Sequence, residues 1–116
     1  ADAHSNLGGI LRDQGKLNEA EISTRKAIEI NPELADAHSN LGGILRDIGK
    51  LNEAEISTRK AIELDPNSLI AYYNLGNILR DLGKLEEAKL CSKKIMSISS
   101  FSIVGSYSFN YHLKSN

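Results

Sequence analysis

The chain reads as an all-α protein, a right-handed superhelical stack of antiparallel helix-turn-helix units. Three observations predict this. Residues 1–34 return nearly letter for letter as 35–68, differing only at positions 14, 30, 31, 33 and 34 of the unit, and a looser third copy follows at 69–102. Apolar residues recur at helical spacing within each copy. Glycine follows the first apolar stripe in every copy, and proline closes the first two. A fixed period of roughly 20–50 residues marks an architecture in which each unit buries its apolar face only by stacking on its neighbours.

In the first copy Ala3, Leu7, Ile10, Leu11 and position 14 recur at steps of three and four, one apolar stripe of a helix. Gly15 ends that helix, because glycine takes the left-handed conformation cheaply. A second stripe follows at Leu17, Ala20, Thr24, Ala27 and Ile28. Asn18 and Glu21, repeated as Asn52 and Glu55, have the spacing of an N-cap and its third-position partner. Pro32 and Pro66 stop the second helix, since proline donates no hydrogen bond to continue it. Links this short require antiparallel packing. The domain reading is three repeats, 1–34, 35–68 and 69–102, followed by residues 103–116 as a degenerate half-repeat or C-terminal capping helix. Gly105, Phe109 and Leu113 repeat the register of Ala3, Leu7 and Leu11 there. The same tail also alternates apolar and polar residues in the strand period, but a lone strand has no sheet to join.

The pattern resembles the tetratricopeptide repeat family. The matching residues are Leu7, Gly8, Ala20, Ala27 and Pro32, then Leu41, Gly42, Ala54, Ala61 and Pro66, then Leu75, Gly76 and Ala88. The family often carries aromatics where His4, His38 and Tyr72 stand, and where Thr24, Thr58 and Ser92 stand. It often carries Tyr where Leu11, Leu45 and Leu79 stand. Smaller side chains there predict an under-packed seam, with room at Thr58 for a larger residue.

Composition is that of a scaffold. Fourteen Lys and Arg against fifteen Asp and Glu give a net charge of −1, so no global field draws the chain to nucleic acid. Cys91 is the single cysteine, which precludes an internal disulfide, and no apolar run reaches the roughly 18–20 residues of a membrane span. The expectation is a cytoplasmic protein with no membrane partner. Ala1 opens directly on the repeat, as a fragment of a longer array would. His4 and His38 lie a whole repeat apart and lack a second ligand at i+3 or i+4, which argues against metal; packing in the aromatic slot is the simpler reading. No nucleophile–base pair, phosphate loop or paired carboxylates can be assembled, so neither catalysis nor a cofactor is expected.

Function is expected on the first helix of each copy. In the resembled family this helix lines the concave groove, and ligands lie along it as extended peptides. Asp2, Ser5, Asn6, Gly9 and Asp13 fall opposite the apolar stripe, with Arg12 at its edge. The stripe returns as Asp36, Ser39, Asn40, Gly43, Arg46 and Asp47, then as Ile70, Tyr73, Asn74, Asn77, Arg80 and Asp81. Asn6, Asn40 and Asn74 would form a ladder, and a carboxamide offers both donor and acceptor to a peptide backbone. Similar ladders bind peptide main chain in the superhelical repeats of O-linked N-acetylglucosamine transferase. The candidate binding residues are therefore Ser5, Asn6, Ser39, Asn40, Tyr73, Asn74 and Asn77, with Arg12, Arg46 and Arg80 available to acidic side chains. The bland alternatives are solvated asparagines and arginines paired with the neighbouring aspartates. On the second helix Ile22, Ile56 and Leu90 point away from the stripe and would align as an apolar row.

The resulting expectation is a module that binds a peptide or partner protein. Two other readings remain: a non-catalytic recruiting arm of a larger enzyme such as a glycosyltransferase, and a self-associating array. Nearly interchangeable copies also predict weak homo-association through the repeat ends.

Overall fold

The computed structural model describes the backbone of residues 2–115 and the side chains of residues 3–100. Six helices follow in order: α1 (Asp2–Asp13), α2 (Leu17–Ile30), α3 (Ala35–Ile48), α4 (Leu51–Leu64), α5 (Leu69–Asp81) and α6 (Leu85–Ser115). No strand occurs among the described residues. Each helix packs on the next, and α3 also packs on α1 and α5, giving an α–α solenoid.

The turn inside each repeat is closed by its glycine. Gly15, Gly49 and Gly83 have φ of 78°, 99° and 80°, where a side chain would be strained. Around Gly15 the Gly15 N–H donates to Arg12 O and the Lys16 N–H to Leu11 O, the paired closure of a Schellman motif. Lys50 and Lys84 repeat the second bond at 2.8 Å. This closure fixes the chain direction so early that α2 starts at Leu17, with Lys16 as its N-cap and no side-chain cap bond. The cap expected at Asn18 and Asn52 is therefore corrected: both lie inside their helices. Glu21 and Glu55 serve instead as ion-pair partners. The side-chain cap that does form is Ser68, which accepts from the Ala71 N–H ahead of α5.

The core is the predicted stripe, extended by small polar residues. Ala37, Leu41, Ile44 and Leu45 of α3 and Ala71, Leu75, Ile78 and Leu79 of α5 are buried. Their counterparts Leu7 and Ile10 in α1 are exposed. Ala20, Thr24, Ala27, Ala54, Thr58 and Ala61 are buried on the second helices. Ser23 and Ser57 stitch the two helices of their repeats by donating to His4 O (3.0 Å) and His38 O (2.9 Å). Cys91 replaces that serine in the third repeat; it is buried, and desolvation pushes its thiol pKa up, away from the reactive thiolate.

The room expected at Thr58 is absent. Its side chain is fully buried, its hydroxyl donates to Ala54 O at 2.8 Å, and it lies against the backbone of Gly42, where a Cβ would collide with Thr58 Oγ1. The helices have closed around threonine. Unfilled space lies one layer outward, in a cavity of about 580 Å³ between α2, α3 and α4 lined by Ile28, His38, Leu41, Leu45 and Ile56 among others. Tyr72 stands at the third-repeat equivalent of His38 and packs against Leu75, Leu79, Ala88 and Cys91.

Residues 103–115 are helical, but they begin no new element. α6 runs unbroken from Leu85, since Ser100 stands where Pro32 and Pro66 end the other repeats. The side chains through which this segment would cap the stack lie outside the described residues.

Candidate functional site

The first helices bring part of the predicted set together. Ser5 and Asn6 of α1, Ser39 and Asn40 of α3, and Asp36 line a cavity of about 480 Å³ with Leu34 and Ile70. Of these Leu34 was not expected; it is the N-cap of α3, a place that periodicity within a helix does not reach. Tyr73 is exposed and lies outside this cavity, as do Asn74 and Asn77 one repeat further along.

The asparagine ladder is anchored from behind. Asn40 Nδ2 donates to Ser5 Oγ at 3.1 Å, and Asn74 Nδ2 donates to Ser39 Oγ at 3.2 Å and to Ser39 O at 3.3 Å. A backbone carbonyl only accepts, so the bond to Ser39 O fixes which end of the Asn74 amide faces the preceding repeat. The amide nitrogens thus join repeats, and the carboxamide oxygens are the groups left to accept. Ser5 and Ser39 are buried as the receiving side of these bonds. Asn6 is exposed and makes no hydrogen bond among the described residues.

Arg12 and Arg46 are spent on the stack. Arg12 Nε reaches Asp47 at 2.6 Å and Arg46 Nε reaches Asp81 at 2.7 Å, each bridging one repeat to the next. The bond to Asp81 also raises the Arg46 pKa, leaving it firmly charged. Arg80 turns back to the Oδ1 of Asn77 in its own helix. The Arg12 guanidinium lies across Gly43, where a Cβ would stand 2.8 Å from its Cζ. On α4 Glu55 gathers Lys84 (3.0 Å) and Arg59 (2.8 Å), which in that order hold its carboxyl below the usual range; Glu21 of α2 is held down in the same way, by Arg25 first and Lys50 less closely. Ile22, Ile56 and Leu90 are exposed as expected.

Sequence profiles of the tetratricopeptide repeat match residues 1–34, 35–68 and 58–89. The chain belongs to the tetratricopeptide repeat family. The fold agrees: the crystal structure of MamA superposes with a TM-score of 0.81 at 24% identity, over 88% of this chain and 60% of that one. This chain therefore spans less than two thirds of the MamA chain. The second tetratricopeptide domain of Spaghetti (RPAP3), bound to the HSP90 peptide SRMEEVD, superposes with a TM-score of 0.79 at 26% identity, covering 83% of this chain and 89% of that domain. A comparison with curated protein sequences returns no match. The chain is accordingly a protein-interaction module of a class that is typically non-catalytic. No helix among the described residues is long and apolar enough to cross a membrane.

Proposed function

We propose that the module binds an extended segment of a partner protein along α1, α3 and α5, with the carboxamides of Asn6, Asn40 and Asn74 meeting the segment's main chain. The observation that carries this reading is the ladder itself. Asn40 and Asn74 are held by the preceding repeat through their amide nitrogens, so the acceptor oxygens are positioned before any ligand arrives. Main-chain contacts of this kind are indifferent to ligand side chains. Leu34 and Ile70 add apolar contact at the cavity wall.

The peptide bound by the Spaghetti domain carries two glutamates and an aspartate. Such a charge is not matched here. Arg12 and Arg46 already face Asp47 and Asp81, and Asp36 lines the cavity. The expected ligand is neutral or weakly basic, with an apolar residue for Leu34 and Ile70.

The test is selection from a displayed random-peptide library on the 116-residue chain, followed by anisotropy titration of the selected peptides. Asn6→Ala should weaken them by about 1–3 kcal/mol, roughly five- to 150-fold. Its unfolding midpoint should not move, because Asn6 joins no repeats. Peptides that bind Asn6→Ala and Asn40→Ala as well as the wild type would refute the ladder reading.

A further inference from the structure

We infer that the seam between the first and second repeats is a binding site for a small aromatic amine. The site is the cavity of about 580 Å³ between α2, α3 and α4, within the roughly 300–1,000 Å³ of small-molecule sites. It shares no lining residue with the cavity along the asparagine ladder, so it goes beyond the peptide-binding reading and does not depend on it.

The next seam shows what such a place accepts, because the chain fills it with its own side chains. The walls correspond: Ile28, Leu41, Leu45 and Ile56 of the first seam return one repeat later as Ile62, Leu75, Leu79 and Leu90. There Tyr72 and Ile62 pack against the cluster of Leu75, Leu79, Ala88 and Cys91. In the first seam His38 stands at the position of Tyr72. Its smaller imidazole donates from Nε2 to Pro32 O at 2.8 Å, and a cavity remains beside Leu41 and Leu45. The rim departs in the same sense. Arg59 joins Glu55 of its own helix and reaches Glu87 at 3.3 Å. Arg25, its equivalent, stays with Glu21, and Glu53, the equivalent of Glu87, joins no ion pair among the described residues. Glu29 also joins none, whereas its equivalent Glu63 meets Lys60 at 3.6 Å. Glu29 and Glu53 are exposed and line the cavity. The second seam thus supplies from within a ring and a cation that the first seam lacks. An arylalkylamine supplies both, its ring against Ile28, Leu41 and Leu45 and its ammonium toward Glu53 and Glu29. An anion is not matched, since the rim cations Arg25 and Lys60 already face Glu21 and Glu63.

Amide NMR titration of the full 116-residue chain at neutral pH tests this with three probes. Phenethylamine carries ring and cation, n-butylamine the cation alone, and hydrocinnamate the ring with an anion. Phenethylamine should give saturable shifts at His38, Leu41 and Ile56 and bind about tenfold tighter than either comparator. His38→Tyr, which fills the first seam as Tyr72 fills the second, should remove those shifts. Ile56→Ser, at a side chain 72% exposed, should keep the fold and weaken phenethylamine by about fivefold. Glu53→Gln should weaken phenethylamine by about threefold and leave hydrocinnamate no weaker. No saturable shift at the seam, equal affinity for the three probes, or wild-type affinity for phenethylamine in any of these variants would overturn the proposal.

Discussion

Two helical glycines in this chain should respond to the same substitution with opposite signs. Gly42 and Gly9 both lie inside helices, where alanine is preferred over glycine by roughly 0.5–1 kcal/mol. At Gly9 a Cβ meets nothing within 4 Å, so Gly9→Ala should deliver that gain. At Gly42 a Cβ would collide with Thr58 Oγ1 and would stand 3.2 Å from Thr58 Cβ and 3.3 Å from Ala54 O. Thr58 has no free direction to move, being fully buried and tied to Ala54 O. Overpacking of this kind costs about 1–3 kcal/mol, which exceeds the helical gain and leaves a net loss of roughly 1–2 kcal/mol. Urea unfolding followed by circular dichroism measures both variants, and the melting temperature should shift by roughly 4 °C per kcal/mol for a chain of this size. Because the collision is with the Thr58 side chain, Gly42→Ala should cost much less in a Thr58→Ala background, with a coupling of about 1–2 kcal/mol. A Gly42→Ala variant as stable as the wild type, or a double mutant showing no coupling, would refute the close-packed seam.

Two further outcomes follow from the same packing and its surface charges. Thr58→Tyr should lower the melting temperature by several degrees, since no space receives the ring, whereas His38→Tyr, beside the 580 Å³ cavity, should be tolerated or stabilising; differential scanning calorimetry of the pair decides it. The Glu55 carboxyl has a depressed pKa in the folded chain, first through Lys84 and then Arg59, so the unfolded chain takes up its proton at higher pH. The stabilisation is present above the unfolded value and is lost as pH falls through the folded one; Glu55→Gln should flatten the acid limb of a melting-temperature profile while lowering the plateau at neutral pH.

The 34-residue period, the two apolar stripes and the turn glycines were enough to place the two helices of each repeat in order, because they are local properties of spacing and backbone freedom. One misreading had a local cause that only the folded turn reveals. Asn18 has the spacing of a cap, but the Schellman closure through Lys16 starts α2 two residues earlier. Ser100 in place of proline was visible in the sequence, and the continuity of α6 is its consequence. Side-chain pairing across repeats lies beyond any periodicity. The spacing put asparagines and arginines on one face of the first helices, and the stack then turned Asn40 and Asn74 onto Ser5 and Ser39, and Arg12 and Arg46 onto Asp47 and Asp81. Those partners are a full repeat apart in the chain and meet only because one helix lies against the next. Thr58 follows the same logic: its size against an aromatic is read from one position, but the space it needs is decided by Gly42 on another helix. Helical faces are written in the order of residues; which groups on those faces remain free for a partner is decided by the distance between neighbouring helices.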